Sequence, residues 1–523
     1  MTQAWADAVS RRLEAAFGAI AAAGRPEVWT ALRTRDELAA EVAARAAGAA
    51  GPAVPVGQPG PLALVAAVKD NIDVAGLPTT AGSRSYAYQP AADAVAVARL
   101  RAAGAVVVGK TNLDQFATGL VGTRTPFGPV RGAWDPERIA GGSSAGSAVA
   151  VALGMADVAL GTDTAGSGRV PAALNGLWGI KPTRGLIPNV GVVPAIKSLD
   201  CVSVFARTLT VGRRAVEAMS GRDMTDPLSC RETVPPTPTR GRVAVPQPST
   251  LGPLAPGWEE AFWAVAEQLR ASGVDLVEVP LTPFLRAAEL LYGGAFVAER
   301  YAAVGAFIES HRQLIGSDLD PTVAKIVLGG KAVTAADLSR DMATLRGLTA
   351  AGLDSLEGCD ALMTPTTVSH PTIAEVAADP VGLNSALGRF TNFVNLMDLC
   401  ALAVPARLVD RLPFGVMLCG RPFEESKLYE LGRVLTDGWT EVFVVGAHLR
   451  GLPLNVELVA HGGDLVADCW TEPAYRLYEL PDPPGVVRRP GLIRVSQGGR
   501  SIRGELWRLP AGGFGAFVAG VRA

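Results

Sequence analysis

A lysine in an apolar setting is the first residue of the chain that could take part in acid–base chemistry. Lys69 follows the apolar run at 64–68, so its amine is expected at the end of a buried strand. Desolvation disfavours the charged form of an amine and lowers its pKa, which allows a lysine to accept a proton near neutral pH. The alternative is an ordinary lysine at a strand end whose ammonium group lies in water.

Ser167 is the candidate nucleophile. It belongs to the segment Gly-Thr-Asp-Thr-Ala-Gly-Ser-Gly-Arg at 161–169. In a tight turn its hydroxyl would lie beside consecutive backbone N–H groups that could stabilise an oxyanion. The hydroxyl needs a base, and without a histidine nearby a second serine that bridges to a neutral lysine could serve. The alternative is a turn with a purely structural role.

A second segment, Gly-Gly-Ser-Ser-Ala-Gly-Ser at 141–147, has several interpretations. A loop of this composition ahead of a helix can bind an anion through its amides. The segment lacks the Gly-Lys-Ser/Thr ending of a nucleotide-binding P-loop. The spacing around Ser144 also matches the nucleophile elbow of α/β-hydrolases, which needs a downstream aspartate and histidine, and His311 and His370 are the candidates.

Histidine positions narrow the chemistry further. The chain has four histidines, none of which lies in the glycine-rich first half: His311, His370, His448 and His461. A histidine metal cluster is therefore not expected, and a Ser-His-Asp triad would need a distant histidine.

Composition excludes several classes of protein. The 523 residues are 49% hydrophobic and 19% charged, which is too apolar for a disordered chain. A net charge of −2 without a basic stripe makes nucleic acid and anionic membrane unexpected partners. Six scattered cysteines indicate reduced thiols in a cytoplasmic protein. The N-terminus lacks the apolar core of a secretory signal, and the longest apolar stretch, 148–156, is too short to span a bilayer.

The pattern of elements predicts an α/β fold in three parts. Residues 1–60 are expected to form amphipathic helices and a Gly/Pro-rich linker from 51, residues 61–440 a catalytic domain, and residues 441–523 a small β-rich domain. Within the second part, short strands alternate with helices, which indicates βαβ units on a mostly parallel sheet covered by helices. Strands are predicted at 64–68, 105–108, 157–160, 242–245 and 274–279, helices at 94–103, 145–153 and 258–271, and proline-rich loops at 234–238 and 481–485.

Taken together, these segments resemble the amidase signature family. Lys69, Ser143 and Ser167, separated by 74 and 24 residues, are similar to its Lys–Ser–Ser triad, and Gly-Ile-Lys-Pro-Thr-Arg-Gly at 179–185 is similar to its glycine/serine-rich signature. The resemblance covers about 60–435 and implies an α/β fold with a large, mostly parallel sheet, and no metal or organic cofactor. It also implies a nucleophile (Ser167), a bridging serine after a cis peptide (Ser143), a base (Lys69) and an oxyanion hole formed by backbone N–H groups of Thr164, Ala165, Gly166 and Ser167.

Within that family, the segments at 112–119, 162–171 and 292–301 most resemble the allophanate hydrolases. This resemblance implies a small anionic amide substrate, allophanate, whose carboxylate contacts Tyr292 and Arg300. It further implies a homodimer that releases ammonia, with carbon dioxide lost from the first product. A guanidinium binds a carboxylate in bidentate fashion, and a phenol can add a hydrogen bond. Without the resemblance, Arg300 would be interpreted as a solvated surface arginine.

Residues 441–523 resemble the start of the small C-terminal domain of that subfamily, which is linked to decarboxylation. The resemblance implies that the closing strands of this domain are missing. Whether allophanate would come from urea or from cyanuric acid stays open. The alternatives are another amidase of the family, the amidase component of a glutamyl-tRNA amidotransferase, an α/β-hydrolase esterase that uses Ser144, and a scaffold without activity.

Overall fold

The computed structural model describes residues 1–48, 61–230, 239–436, 439–461, 463–479, 490–510, 514, 517, 518 and 520. Three predicted features lie outside the described residues: the linker at 51–60 and the proline-rich loops at 234–238 and 481–485. The chain forms two compact units, of which the first comprises residues 1–406 and 413–432, and the second residues 407–412 and 433–523.

The strands are β1 (Trp29–Leu32), β2 (Val65–Lys69), β3 (Val106–Thr111), β4 (Val158–Asp163), β5 (Trp178–Lys181), β6 (Cys201–Ala206), β7 (Arg242–Pro246), β8 (Asp275–Val279), β9 (Ala361–Pro365), β10 (Cys400–Val409), β11 (Leu412–Gly420), β12 (Trp439–Val444), β13 (Asp464–Trp470), β14 (Tyr475–Glu479), β15 (Pro490–Arg494) and β16 (Arg503–Pro510).

The helices are α1 (Gln3–Ala23), α2 (Arg35–Ala46), α3 (Val95–Ala102), α4 (Ala145–Ala152), α5 (Arg169–Leu174), α6 (Leu209–Met219), α7 (Pro248–Leu251), α8 (Trp258–Ala271), α9 (Thr282–Gly293), α10 (Val297–Ser310), α11 (Pro321–Gly329), α12 (Ala335–Ser355), α13 (Ile373–Ala378), α14 (Gly382–Leu387), α15 (Asn392–Leu396), α16 (Glu425–Thr436) and α17 (Asn455–Ala460). Among the described residues, no helix is both long and apolar enough to cross a membrane.

Most of the predicted elements are confirmed. The predicted strands correspond to β2, β3, β4, β7 and β8, and the predicted helices to α3, α4 and α8. The α/β fold is confirmed as well, since an eleven-stranded sheet with the order β1-β3-β2-β4-β6-β5-β10-β11-β9-β7-β8 organises the first unit. The sheet is mixed: β3, β2 and β4 are parallel, as are β9, β7 and β8, whereas β5 and β6 pair antiparallel between these blocks.

The N-terminal segment forms the predicted helices and an additional strand. Trp5, Val9 and Leu13 of α1 are buried and pack into one hydrophobic core with Val65 and Ala67 of β2. The spacing of these α1 side chains places them on one face of the helix, which explains why this face packs on the sheet. Strand β1 was not predicted; it pairs antiparallel with β3 at the edge of the sheet.

The parallel pair β2 and β4 positions two of the predicted catalytic residues, Lys69 and Ser167. In this pair Ala66 lies opposite Val158 and Val68 opposite Leu160. Both strands run in the same direction, so their carboxyl ends meet at one edge of the sheet, where open α/β sheets usually bind ligands. Lys69 is the last residue of β2, and the chain leaves β4 at Asp163 to enter the turn that carries Ser167.

The second unit is mainly β-structure. It contains a three-stranded antiparallel sheet with the order β12-β16-β13 and a two-stranded sheet of β14 and β15. The short helix α17 contributes Leu458 to a small core with Trp507 and Leu509.

Candidate active site

Lys69 is fully buried, so the interpretation of a solvated lysine is wrong. Its Nζ lies 2.8 Å from Ser143 Oγ and 2.7 Å from Thr162 Oγ1. Burial lowers the pKa of Lys69 to about 7, although the carboxylates of Asp114, Asp163 and Asp200 oppose this shift. A large fraction of this amine is therefore neutral near pH 7 and can accept a proton.

The cis peptide bond expected before Ser143 is present between Gly142 and Ser143. The backbone of Ser143 is held by the N–H of Asp114, which donates to the Ser143 carbonyl at 3.1 Å. Gly142 is required here because an added Cβ would collide with the Asp114 carboxylate. The chain then enters α4, whose alanines and valines are buried against the sheet.

Ser167 lies in the turn between β4 and α5 and is buried. This turn, residues 164–168, is called the nucleophile turn after the predicted role of Ser167. Asp163 shapes this turn: its Oδ1 accepts from the Gly166 N–H at 2.8 Å, and its Oδ2 from the Gly168 N–H at 3.0 Å. The Arg169 guanidinium donates to both oxygens of the same carboxylate, at 2.8 and 2.9 Å. Burial favours a protonated Asp163, but the Arg169 charge outweighs it and holds the pKa of Asp163 below its usual value. The turn is therefore fixed by a buried, charged pair.

Four backbone N–H groups were predicted to form the oxyanion hole, and among the described residues three of them are available while one already donates a hydrogen bond. The Gly166 N–H already donates to Asp163, so it is not available while that bond is kept. The N–H groups of Thr164, Ala165 and Ser167 have no hydrogen-bond partner within the described ranges. The Ser167 hydroxyl likewise makes no hydrogen bond to any described residue, so the structure joins Lys69 to Ser143 by a hydrogen bond but does not join Ser143 to Ser167.

Gly166 is a residue of the turn at which glycine is required. Its φ of +130° lies in a region that side chains disfavour, and an added Cβ would collide with the Thr391 hydroxyl. The segment that precedes α15 therefore packs directly against the nucleophile turn.

Asp200 is a member of the site that was not predicted from the sequence. Its Oδ1 accepts from Thr164 Oγ1 at 2.5 Å, and its Oδ2 accepts from the Ala195 N–H at 2.9 Å. Burial raises the pKa of Asp200 to about 6. No local motif marks this aspartate, since its contact with Thr164 spans 36 residues of the chain.

Arg300 is 1% exposed, so the interpretation of a solvated surface arginine is wrong. It lies on α10, and Tyr292 lies near the end of α9. Arg300 Nη2 donates to the Tyr292 hydroxyl at 3.3 Å, and its guanidinium lies 5.1 Å from the centre of the Tyr292 ring. Tyr292 packs in a hydrophobic cluster that includes Ala165 of the nucleophile turn. Tyr292 therefore lies against the turn that carries Ser167, and Arg300 lies beside Tyr292.

No carboxylate of the described residues pairs with the Arg300 guanidinium within 4.0 Å, and its Nε has no hydrogen-bond partner there. The buried Asp200 carboxylate interacts with the Arg300 charge at longer range. A buried guanidinium without an adjacent counter-ion is costly, so this site is suited to an anionic ligand.

The alternative arrangement around Ser144 is wrong. The Ser144 hydroxyl donates to the Thr162 carbonyl at 3.2 Å and not to a histidine. His370 Nε2 lies 2.8 Å from the Ile139 carbonyl, and His311 stacks on Phe307. In the part of the chain that is described, no group of three or more potential ligands is arranged to hold a metal ion.

Each of the two units matches the model of a known protein family. A family model described as Amidase matches residues 14–429, and a model described as Allophanate hydrolase C-terminal domain matches residues 440–523. The solved structure of selenomethionine-substituted Kluyveromyces lactis allophanate hydrolase is 36% identical, with a TM-score of 0.73, and the match covers 98% of this chain and 89% of that one.

Relatives of this chain include a urea amidolyase and a glutamyl-tRNA(Gln) amidotransferase. Urea amidolyase from Saccharomyces cerevisiae is 42% identical over 495 residues, which cover 87% of this chain but only 27% of that longer protein. One component of the glutamyl-tRNA(Gln) amidotransferase from Symbiobacterium thermophilum is 36% identical over 403 residues, which cover 71% of this chain and 82% of that protein.

Proposed function

Because this chain belongs to the amidase family, we propose that it is an allophanate hydrolase that uses Ser167 as nucleophile, Ser143 as bridging serine and Lys69 as base. The substrate is a small amide that carries a carboxylate. Arg300 and Tyr292 bind that carboxylate and present the terminal amide to Ser167. No metal or organic cofactor takes part in this mechanism.

The observation that carries this proposal is the buried guanidinium of Arg300. It lies beside the Tyr292 hydroxyl, and no carboxylate of the described residues lies within ion-pair distance. A bound substrate carboxylate would supply the missing negative charge through two parallel hydrogen bonds. A neutral amide would leave the guanidinium uncompensated, so the site favours anionic amides over neutral ones.

Proton transfer begins at the neutral Lys69 amine. As Ser167 Oγ attacks the amide carbonyl, its proton passes to Ser143 Oγ, and the Ser143 proton passes to Lys69 Nζ, which lies 2.8 Å away. The resulting ammonium returns a proton through Ser143 to the leaving nitrogen, so that the C–N bond breaks and ammonia departs. Water then attacks the acyl-enzyme, giving N-carboxycarbamate. This product loses carbon dioxide to give carbamate, which breaks down to a second ammonia and a second carbon dioxide.

The negative charge that develops on the carbonyl oxygen is stabilised by backbone N–H groups of the nucleophile turn. Thr164, Ala165 and Ser167 supply these donors, and each donor of this kind is commonly worth about 3–4 kcal/mol. The hydrogen bond between Thr164 and Asp200 holds the turn at its first residue.

We further propose a cytoplasmic location and a homodimeric assembly. Cys201, Cys359, Cys400 and Cys419 are buried free thiols, which supports a reducing compartment. The homodimer rests on the resemblance to the family, and sedimentation equilibrium of the full chain tests it.

Ammonia release from allophanate and from biuret tests the function. Biuret replaces the carboxylate of allophanate by an amide of similar shape, so we expect kcat/KM to be about 100-fold or more higher for allophanate. S167A removes the nucleophile and should lower kcat by at least about 10⁴-fold without unfolding the protein. R300A should raise KM for allophanate and leave KM for biuret nearly unchanged. Equal kcat/KM for the two substrates, or faster release from glutamine, would contradict the proposal.

A further inference from the structure

The orientation of the Arg300 guanidinium depends on a second hydroxyl besides that of Tyr292. Arg300 Nη1 donates to Thr118 Oγ1 at 2.8 Å, which is shorter than the 3.3 Å from Nη2 to Tyr292. Thr118 lies 182 residues away in the chain and is 1% exposed. These two bonds use one N–H of Nη1 and one of Nη2, and the Nε–H has no partner among the described residues, so N–H groups are left for a ligand.

The Thr118 hydroxyl is committed to act as an acceptor for Arg300. Its single proton is donated to the Phe116 carbonyl at 3.1 Å. A hydroxyl has one proton and two lone pairs, so its oxygen is then free only to accept. The two hydrogen bonds therefore run in one fixed direction, from the Arg300 guanidinium to the Thr118 hydroxyl and from that hydroxyl to the Phe116 carbonyl.

The backbone that presents Thr118 is held from several sides. Phe116 and Ala117 both have φ near +50°, a region that side chains rarely adopt. Such a conformation persists only where the surroundings impose it. Here the Arg124 guanidinium donates to the Thr118 carbonyl at 3.1 Å, and the Phe116 N–H donates to the Ala81 carbonyl at 2.9 Å.

The carboxylate of Asp114 holds the following part of the same loop. It accepts hydrogen bonds from the N–H groups of Val121, Gly122 and Arg124, at 3.2, 3.0 and 3.0 Å. The loop that carries Thr118 is therefore rigid, and its hydroxyl cannot move away from Arg300 without breaking these contacts.

We infer that Thr118 is a positioning residue that determines the preference for anionic substrates, because it orients Arg300 towards the substrate carboxylate. This inference rests on the proposed function. Thr118 does not touch the reacting atoms, so its loss should weaken carboxylate binding and leave the proton relay intact.

T118V is the test, because valine keeps the shape of threonine and removes the hydroxyl. We expect KM for allophanate to rise about 10- to 100-fold, since a hydrogen bond to a charged group is lost, while kcat changes less than about threefold. KM for biuret should stay within about twofold of the wild-type value. T118S restores the hydroxyl and should return KM for allophanate to within about threefold of wild type.

T250V is the matched control. Thr250 also donates to a backbone carbonyl, that of Gln247 at 2.9 Å, and also accepts a hydrogen bond, from the Leu281 N–H at 3.3 Å. It makes no contact with Arg300 within the described ranges, so T250V should leave KM unchanged for both substrates. Thermal unfolding followed by circular dichroism reports any general loss of structure, and T118A replaces T118V if the valine variant does not fold.

The outcomes separate this inference from the proposed function. If wild-type enzyme does not prefer allophanate to biuret, the proposed function fails. If it does and T118V or T118A keeps that preference, the inference about Thr118 fails. An equal loss of kcat for both substrates, or a failure of T118S to restore KM, would also overturn the inference.

Discussion

Two buried lysines lie side by side at the ends of neighbouring strands and have different partners. Lys69 ends β2, and Lys110 lies near the end of β3, opposite Val68 in the parallel register. Both are fully buried. Lys110 Nζ forms an ion pair with Asp70 at 2.8 Å, whereas Lys69 Nζ contacts the hydroxyls of Ser143 and Thr162. Burial alone therefore does not make a lysine a base, and the chemistry of its partner decides.

The partners act on the pKa in different ways. Burial lowers the pKa of Lys110, but the adjacent Asp70 carboxylate opposes this because it stabilises the ammonium form. No carboxylate contacts Lys69 within 4.0 Å among the described residues, and burial lowers its pKa to about 7. Lys110 thus has the surroundings of a structural cation, and Lys69 has those expected of the proposed proton acceptor.

Replacement of Lys69 should have the largest effect on activity. K69M removes the proposed base, so we expect kcat to fall by about 10³-fold or more, while the free energy of unfolding near pH 7 should not fall, because burial already disfavours the charged form of this amine. Ammonia release and urea denaturation measure the two quantities. Activity near the wild-type level in K69M would show that Lys69 is not the base and so does not differ from Lys110 in this respect.

Replacement of Lys110 should affect stability instead. K110M leaves the Asp70 carboxylate buried without its cation, which typically costs about 3–5 kcal/mol. We expect a lower urea midpoint for K110M than for K69M. The fraction of K110M that stays folded should retain kcat within about tenfold of wild type. Equal stability of the two variants would show that the ion pair is not what distinguishes Lys110.

The pH dependence of kcat/KM tests the proposed role of Lys69 through a smaller effect than either lysine replacement. Lys69 must be neutral to act as a base, so kcat/KM should rise about tenfold per pH unit below its pKa of about 7 and level off above it. T162V removes a hydrogen-bond acceptor that favours the ammonium, so the pKa of Lys69 should fall further. We expect the acid limb of T162V to move to lower pH, with a loss of kcat of only a few-fold. An unshifted limb would exclude Thr162 from tuning this lysine.

The free energy of unfolding should also depend on pH through the lowered pKa of Lys69. The folded-state pKa of about 7 lies below the usual value of 10.5, so the unfolded chain binds more protons between these two values. The contribution of Lys69 to the free energy of unfolding therefore rises with pH across that window. The difference in stability between wild type and K69M, measured at several pH values, should follow this rise, and a difference that is independent of pH would contradict it.

Local patterns in the sequence identified the elements that lie next to the triad. The apolar runs of β2 and β4 and the small-residue helix α4 are local signals, and together they place Lys69 and Ser143 at one edge of the sheet. The roles of Lys69, Ser143 and Ser167 came from the family resemblance and not from periodicity, and they remain predictions.

Other parts of the site depend on contacts between distant segments. Thr118 reaches Arg300 across 182 residues, and Thr162 reaches Lys69 across 93. A threonine in a loop gives no local sign of such a partner. Strands β5 and β6 were also missed, because antiparallel pairing in the middle of the sheet is set by the tertiary fold and β5 has only four residues.

Asp114 has a consequence for how this enzyme could diversify. Its amide donates to the carbonyl of Ser143, the proposed bridging serine, and its carboxylate holds the loop around Thr118. In laboratory evolution towards other acyl groups, position 118 can therefore be varied while Asp114 is kept together with Gly119, because a Cβ added at Gly119 would collide with the Asp114 carboxylate. Libraries that retain Asp114 should yield many active clones with altered selectivity, whereas libraries that include position 114 should lose recognition and turnover together.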